Sequence, residues 1–264
     1  AYLAWQQTDL KRILAYSTIS ALGTLVLLLG VGTAIAVKAA VVFLIVHSLY
    51  KGALFMAAGA IDHETGTRDI NQLRGLRGVM PITFVAVTLA ALSMAGALPL
   101  FLGYIGKKSI YEAALTAPSA AWLLTGSVLL TNTFTVVVAG LVAVRPFWGQ
   151  LQPTPKPAHE APLSLWLGPL LLAGPSLLLV RLLEFVPTSP LPRFLATSAT
   201  AIADELVRVK LAAWSGVNAI FWLSLATLLA GIGLYTGRNG LRRLLSPANA
   251  LTAIGPERIY ERAL

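Results

Sequence analysis

Apolar runs recur along the chain, separated by short stretches that carry Gly, Pro or charge. Each run is roughly 20 residues, enough for a helix to span the hydrocarbon core, so the pattern predicts about six membrane passes. The first covers Ile13 to Gly30 and follows Asp9-Leu10-Lys11-Arg12, and the second covers Ala34 to Ala60. A polar loop from Asp62 to Met80 leads to Pro81, which opens a third pass that fades at Gly96-Ala97-Leu98-Pro99. The runs Leu100 to Leu115 and Ala120 to Val144 are interrupted at Thr116-Ala117-Pro118-Ser119. Proline removes a backbone donor and pushes the residue before it out of the α region. These two runs therefore read as one discontinuous helix, a feature that membranes tolerate where it lines a polar cavity.

A Pro-rich loop, Gly149 to Pro162, precedes a fifth pass from Leu163 to Phe185, with a kink expected at Pro169 and Pro175. After a turn between Pro187 and Pro192, Arg193 to Lys210 is amphipathic and is expected to lie along the interface. A last pass runs from Trp214 to Tyr235, before a tail carrying Arg238, Arg242, Arg243, Arg258 and Arg262. The fold class is an all-α polytopic membrane protein.

Composition agrees with the pattern. Of the 264 residues, 56% are hydrophobic and only 12% charged, against ~25% charged in soluble domains. That excludes an ordinary soluble enzyme, a disordered chain and a coiled coil. The net charge of +9 would suggest nucleic acid in a soluble protein, but here the basic residues sit between apolar runs, so no nucleic-acid partner is expected. One side of the membrane receives Lys11, Arg12, Arg68, Arg74, Arg77, Arg145, Lys156 and the tail, and the positive-inside rule makes that side cytoplasmic. The other side receives Arg193, Arg208 and Lys210. The absence of cysteine excludes disulfides, Cys-based zinc sites and iron–sulfur clusters. No nucleophilic triad, phosphate loop or dinucleotide fingerprint is present, so no cofactor is expected. Ala1 begins the chain without a basic n-region and cleavage site, and the sequence reads as an excerpt.

The candidate chemistry lies inside the apolar runs. Lys51 falls in the middle of the second pass, and His47 precedes it by four residues, on the same helical face. A charged Lys at the bilayer centre costs ~2.5–3.5 kcal/mol on insertion scales, so it must face a polar cavity, find a partner or lose its proton. Imidazole titrates near ~6.5 unperturbed, so the pair reads as a proton relay. The alternative is a structural Lys paired to a carboxylate on a neighbouring protein of the membrane. Lys107 and Lys108 diverge by ~100° on a helix; spacing alone leaves open whether one faces inward or both snorkel. Lys38, near its helix start, is expected to snorkel to the headgroups. Arg181 and Glu184 are expected to pair with each other.

Tyr16, Ser20, Thr131 and Asn132 stand out among the hydroxyls and amides of the runs. They either bond between helices or hold water between the ionisable groups. His63, Glu64, Arg68 and Asp69 form the densest ionisable cluster. A gate or docking element at a cavity mouth is the favoured reading, and a metal site is not.

The stretch Thr8-Asp9-Leu10-Lys11-Arg12-Ile13-Leu14-Ala15-Tyr16-Ser17-Thr18-Ile19-Ser20 resembles a motif of the antiporter-like subunits of complex I and of Mrp-type cation/proton antiporters. His47-Ser48-Leu49-Tyr50-Lys51 is similar to their His-x-x-x-Lys helix, and Leu98-Pro99-Leu100-Phe101 with Gly106-Lys107 to their Leu-Pro-Pro-Phe…Ser-Lys segment. Asp62 to Asp69, with Met80-Pro81-Ile82-Thr83-Phe84, resembles the large A-type subunits of the Mrp branch. Leu100, Gly106 and Ser215 depart from the family pattern.

The resemblance implies a fold of two inverted five-helix repeats, each with one discontinuous helix. Residues 1–147 would be the second repeat, with 148–264 as peripheral helices, an interfacial segment and a basic tail. The first repeat, with its own Glu and Lys, would lie outside this sequence. The resemblance assigns Lys51, Lys107 and His47 to proton transfer and puts Lys108 where relatives often have an acid; Lys38 and Lys108 count as supporting polar residues. It implies a cell-membrane complex with other membrane subunits, exchanging H+ for a monovalent cation, with Na+ favoured. The alternatives are a component of a redox-driven pump, as in complex I or a membrane-bound hydrogenase, or a non-transporting scaffold.

Overall fold

A computed structural model describes residues 1–177, 190–203, 205–207, 216–238 and 240. Its helices are α1 (Tyr2–Gln6), α2 (Leu10–Val31), α3 (Ala34–Thr65), α4 (Pro81–Ala95), α5 (Leu102–Leu115), α6 (Ala121–Ala143), α7 (Leu163–Ala173), α8 (Pro190–Ala203) and α9 (Ala219–Thr236), with a 3-10 turn at Leu76–Gly78. Among the described residues α2, α3, α6 and α9 are long and apolar enough to cross a membrane, and α4 and α7 are shorter apolar helices.

Local chemistry fixes the helix ends. The Asp9 carboxylate accepts from the Arg12 amide at 3.0 Å and starts α2. Gly32, with φ +72°, ends α2, and Thr33 caps α3 at once. The two helices thus form a tight hairpin. α3 has 32 residues, about 48 Å at 1.5 Å per residue, so it overshoots the ~30 Å hydrocarbon layer. Its last turn holds Asp62, His63 and Glu64, which sequence reasoning placed in a loop. The acidic cluster is therefore partly helical, because nothing before Gly66 stops the helix.

The discontinuous helix lies elsewhere than expected. α4 starts where α3 ends: Glu160, on the same loop as Lys156, accepts from the Ile82 amide, and Lys156 donates to the His63 carbonyl. α5 ends where α3 begins, through the Lys38–Glu112 ion pair at 3.1 Å. α4 and α5 together therefore make one crossing, broken at residues 96–101 by Gly96 (φ +56°) and Pro99. α6 is a complete crossing of its own, and Pro118 sits in the connection at its start. The number of crossings before Arg145 is unchanged. Arg145 donates to the Ile70 carbonyl at 3.3 Å, so the loop cations Lys11, Arg12, Arg68, Arg74, Arg77, Arg145 and Lys156 share one end.

α9 runs alongside α6 in the same direction. Ile220 and Leu223 join the cluster of Leu28, Tyr111 and Val128 at one end, and Tyr235 meets Gly140 toward the other. A Cβ on Gly140 or Gly231 would collide with Tyr235 or Val136, so these glycines permit close helix contact. α7 packs on α3 and α4, placing Leu172 against Gly52 and Ser176 against Ser93. α8 buries Leu195 and Ala199 and exposes Arg193 and Phe194. The expected Arg181–Glu184 pair, the end of the fifth pass, Arg208, Lys210 and the tail arginines beyond Arg238 lie outside the described residues.

Candidate functional site

The α2–α3 hairpin sets the first half of the site. In a tight hairpin, residues equidistant from the turn face each other, which brings Lys51 opposite Leu14 and Ser17. The Lys51 ammonium donates to the Leu14 carbonyl at 2.9 Å and to the Ser17 hydroxyl. Ser17 in turn donates to Leu14 O at 2.9 Å. Lys51 is only 5% exposed, and among the described residues no carboxylate lies within ion-pair distance of it. Its charge is held by oxygen dipoles alone, an arrangement that stabilises an ammonium without neutralising it.

The break sets the second half. Lys107, on the second turn of α5, is 5% exposed and reaches the Ala95 carbonyl at the end of α4 (3.3 Å) and the Ser224 carbonyl of α9 (3.4 Å). Residues near a helix C-terminus leave carbonyls without intrahelical partners, and Ala95 is such a residue because α4 stops there. Gly96 makes room: a Cβ there would lie 2.8 Å from Lys107 Cδ. Gly103 brings α5 so close to α4 that any side chain would overlap the Ser93 carbonyl.

Both lysines line one narrow cavity between α2, α3, α5 and α6, open over about 30 Å³ to the centre of a water molecule. At ~10–15 Å³ per water this is room for two or three. Ser20 and Thr24 line it from α2, Tyr50 from α3, and Thr131, Asn132 and Thr135 from α6. Several threonines of α2 and α6 satisfy themselves on their own helix: Thr18 donates to Leu14 O, Thr24 to Ser20 O, Thr133 to Leu129 O and Thr135 to Thr131 O. In their donor bonds these hydroxyls thus follow neither the interhelical bonding nor the water holding weighed from sequence, because a helical Thr can reach its own i−4 carbonyl. Tyr16 faces the apolar core instead of the cavity.

His47 is buried but does not line the cavity. Its Nδ1 pairs with the Tyr50 hydroxyl at 2.9 Å, and Tyr50 lines the cavity beside Lys51. Tyr50 and Ser17 are the residues sequence reasoning missed. The i, i+3 spacing from His47 and the hairpin register were the signals that point to them.

Lys38 does not snorkel: it pairs with Glu112 across α3 and α5, because that carboxylate lies within its reach. Lys108 sits one turn before Glu112, away from the cavity. The ionisable cluster at the basic end divides in two. The Glu64 carboxylate, 5% exposed, meets His63 Nδ1 at 2.8 Å and His159 Nε2 at 3.2 Å. Arg68 binds Asp9 at 3.0 Å, and Lys11 binds Asp62 at 3.0 Å. Asp69 caps its own turn by accepting from the Asn71 amide, and pairs backbone to backbone with Asp9. Among the described residues no cluster of three or more His, Cys, Asp or Glu is arranged to hold a metal ion.

Residues 1–135 match the family described as NADH:quinone oxidoreductase/Mrp antiporter, TM. The A-type subunit of the Na(+)/H(+) antiporter of Alkalihalophilus pseudofirmus is 36% identical over 88% of this chain and 32% of its own length. That of Bacillus subtilis is 33% identical over 100% of this chain and 36% of its own. A chain in the structure of the Mrp complex from a Dietzia species matches with TM-score 0.81 and 33% identity, over 99% of this chain and 28% of that one. The chain thus spans about a third of the length of these relatives.

Proposed function

The chain belongs to the NADH:quinone oxidoreductase/Mrp antiporter transmembrane family, and on that footing we propose that it carries a proton-translocating half of a bacterial cell-membrane cation/proton antiporter. It acts within a complex of other membrane subunits and exchanges H+ for a monovalent cation, Na+ by the names of its relatives. It is a transporter component and not an enzyme. The relatives' names favour antiport over the redox-driven pump that the same family includes.

The observation that supports the reading is the single narrow cavity lined by both buried ammonium groups. A proton passes from Lys107 through the cavity waters to a neutral Lys51, and on through Tyr50 to His47. The carbonyls of Leu14, Ala95 and Ser224 hold each amine in place while its charge changes. In the low-dielectric interior one charged amine opposes charging of the other, so the protons move one at a time. Residues 1–147 supply the translocating repeat, and 148–264 the peripheral helices, which also lend the Ser224 carbonyl. His63, Glu64, Arg68 and Asp69 serve as a gate at the cytoplasmic end, where Asp9 ties Arg68 and Asp69 to α2 and Lys11 holds the neighbouring Asp62. Lys11 lies six residues before Ser17, about 9 Å along the helix.

The test is Na+-driven proton exchange in everted vesicles carrying the full complex. Lys51→Ala and Lys107→Ala should each abolish exchange while the complex still assembles. Exchange at the parental rate in both variants refutes the relay.

A further inference from the structure

A second, larger hollow opens on the side of the break away from the water cavity. It is an apolar cleft of about 560 Å³ between α4, α6 and α9, walled by Phe84, Ala91, Val136, Gly140, Leu228 and Ile232 among others. That volume lies in the ~300–1,000 Å³ range of small-molecule sites. No charged residue lines it. It exists because Gly140 and Gly231 bring α9 against α6 while α4 ends at Ala95, leaving no side chain to fill the wedge below.

Its length and its rim identify the occupant. From Phe84 to Ala95 the cleft follows α4 for about 16 Å, which is one leaflet of a ~30 Å hydrocarbon core. At its outer end two aromatic wall residues each carry an arginine. Arg77 Cζ lies 4.7 Å from the Trp148 ring centroid, and Arg238 Cζ lies 4.4 Å from that of Tyr235. Trp148 and Tyr235 both line the cleft, so the guanidinium groups are held at its mouth. This is the basic end of the molecule. An apolar slot one leaflet deep, with two cations at its headgroup end, fits one acyl chain of a lipid with an anionic headgroup.

We propose that this cleft binds an anionic phospholipid of the cytoplasmic leaflet, with its headgroup on Arg77 and Arg238 and one tail reaching Ala95 and Ala97. The tail then packs beside the carbonyl that accepts from Lys107, on the face of the break opposite the water cavity. The lipid would complete the wall of the break and keep that side dry.

The test uses the full-length protein in its assembled complex, reconstituted with phosphatidylglycerol or phosphatidylcholine carrying a diazirine in one tail. Illumination and peptide mapping read where each lipid sits, independently of any exchange activity. Phosphatidylglycerol should label the peptides around Leu92 and Ile232 about tenfold to thirtyfold more than phosphatidylcholine, the preference that two arginines beside an anionic headgroup supply. The double variant Arg77→Gln/Arg238→Gln should remove the preference, and Ala97→Phe, which fills the slot, should remove labelling by both lipids. If Ala97→Phe does not assemble, Thr88→Phe on another part of the wall replaces it. Equal labelling by the two lipids, or a preference that survives the arginine substitutions, overturns the proposal. So does an efficient cross-link from Ile232→Cys to another protein segment, since a helix would then be the occupant.

Discussion

At the scale of single residues, the site depends on oxygen atoms as much as on amines. Ser17 supplies one of the two acceptors that hold Lys51. A hydrogen bond to a charged group is worth roughly 1.5–3 kcal/mol, so Ser17→Ala should slow exchange about tenfold or more in the vesicle assay without loss of the assembled protein. Tyr50→Phe keeps the ring but removes the hydroxyl between His47 and the cavity. It should slow exchange to the level of His47→Ala, and the double variant should be no slower than either single one. The lysines and His47 were legible because charge inside an apolar run is conspicuous. Tyr50 was not, because an aromatic residue in a membrane helix reads as packing, and Ser17 became visible only once the hairpin register was fixed. Lys38 was misread because its partner Glu112 lies 74 positions away, beyond what local pattern reveals.

At the scale of elements, the hairpin α2–α3 followed from run length and turn residues within a few positions, and so did the bounds of α6, although its run reads in sequence as half of a discontinuous helix and not as a crossing of its own. The break did not. Thr116-Ala117-Pro118-Ser119 is the more polar interruption, yet it is an ordinary connection. The residues 97–101 at the true break are apolar apart from the proline, so hydropathy passes over it. Glycine spacing marks it better, and it gives a paired prediction. Gly103→Ala drives a methyl into the Ser93 carbonyl and should destabilise the protein by roughly 3 kcal/mol or more, as overpacking at a rigid backbone contact does. Gly106→Ala, three residues on, meets Val46 at 3.6 Å, an ordinary contact. It should be neutral or stabilising by up to about 1 kcal/mol, since Ala is the better helix former. Thermal unfolding of the detergent-solubilised complex separates the two.

At the scale of the whole molecule, the two ends are tied by different means. The Lys38–Glu112 pair joins α3 to α5 at the end away from the arginines and is partly exposed, so its removal should cost about 1 kcal/mol or less. The swapped pair Lys38→Glu/Glu112→Lys should recover what either single change loses, as a double-mutant cycle would show. Sidedness is equally open to measurement. Gln150→Cys should react with an impermeant maleimide only from the cytoplasm, and Ser119→Cys only from outside. One further joint spans the two scales. Ser93 touches three helices at once: its carbonyl faces Gly103 of α5, its hydroxyl accepts from Ser176 at 2.5 Å just beyond α7, and it belongs to α4. A sideways displacement of α7 would therefore be passed directly to the segment that seats Lys107. On the proposed reading, proton flow would then be throttled by a neighbour that pushes on α7 and never enters the cavity.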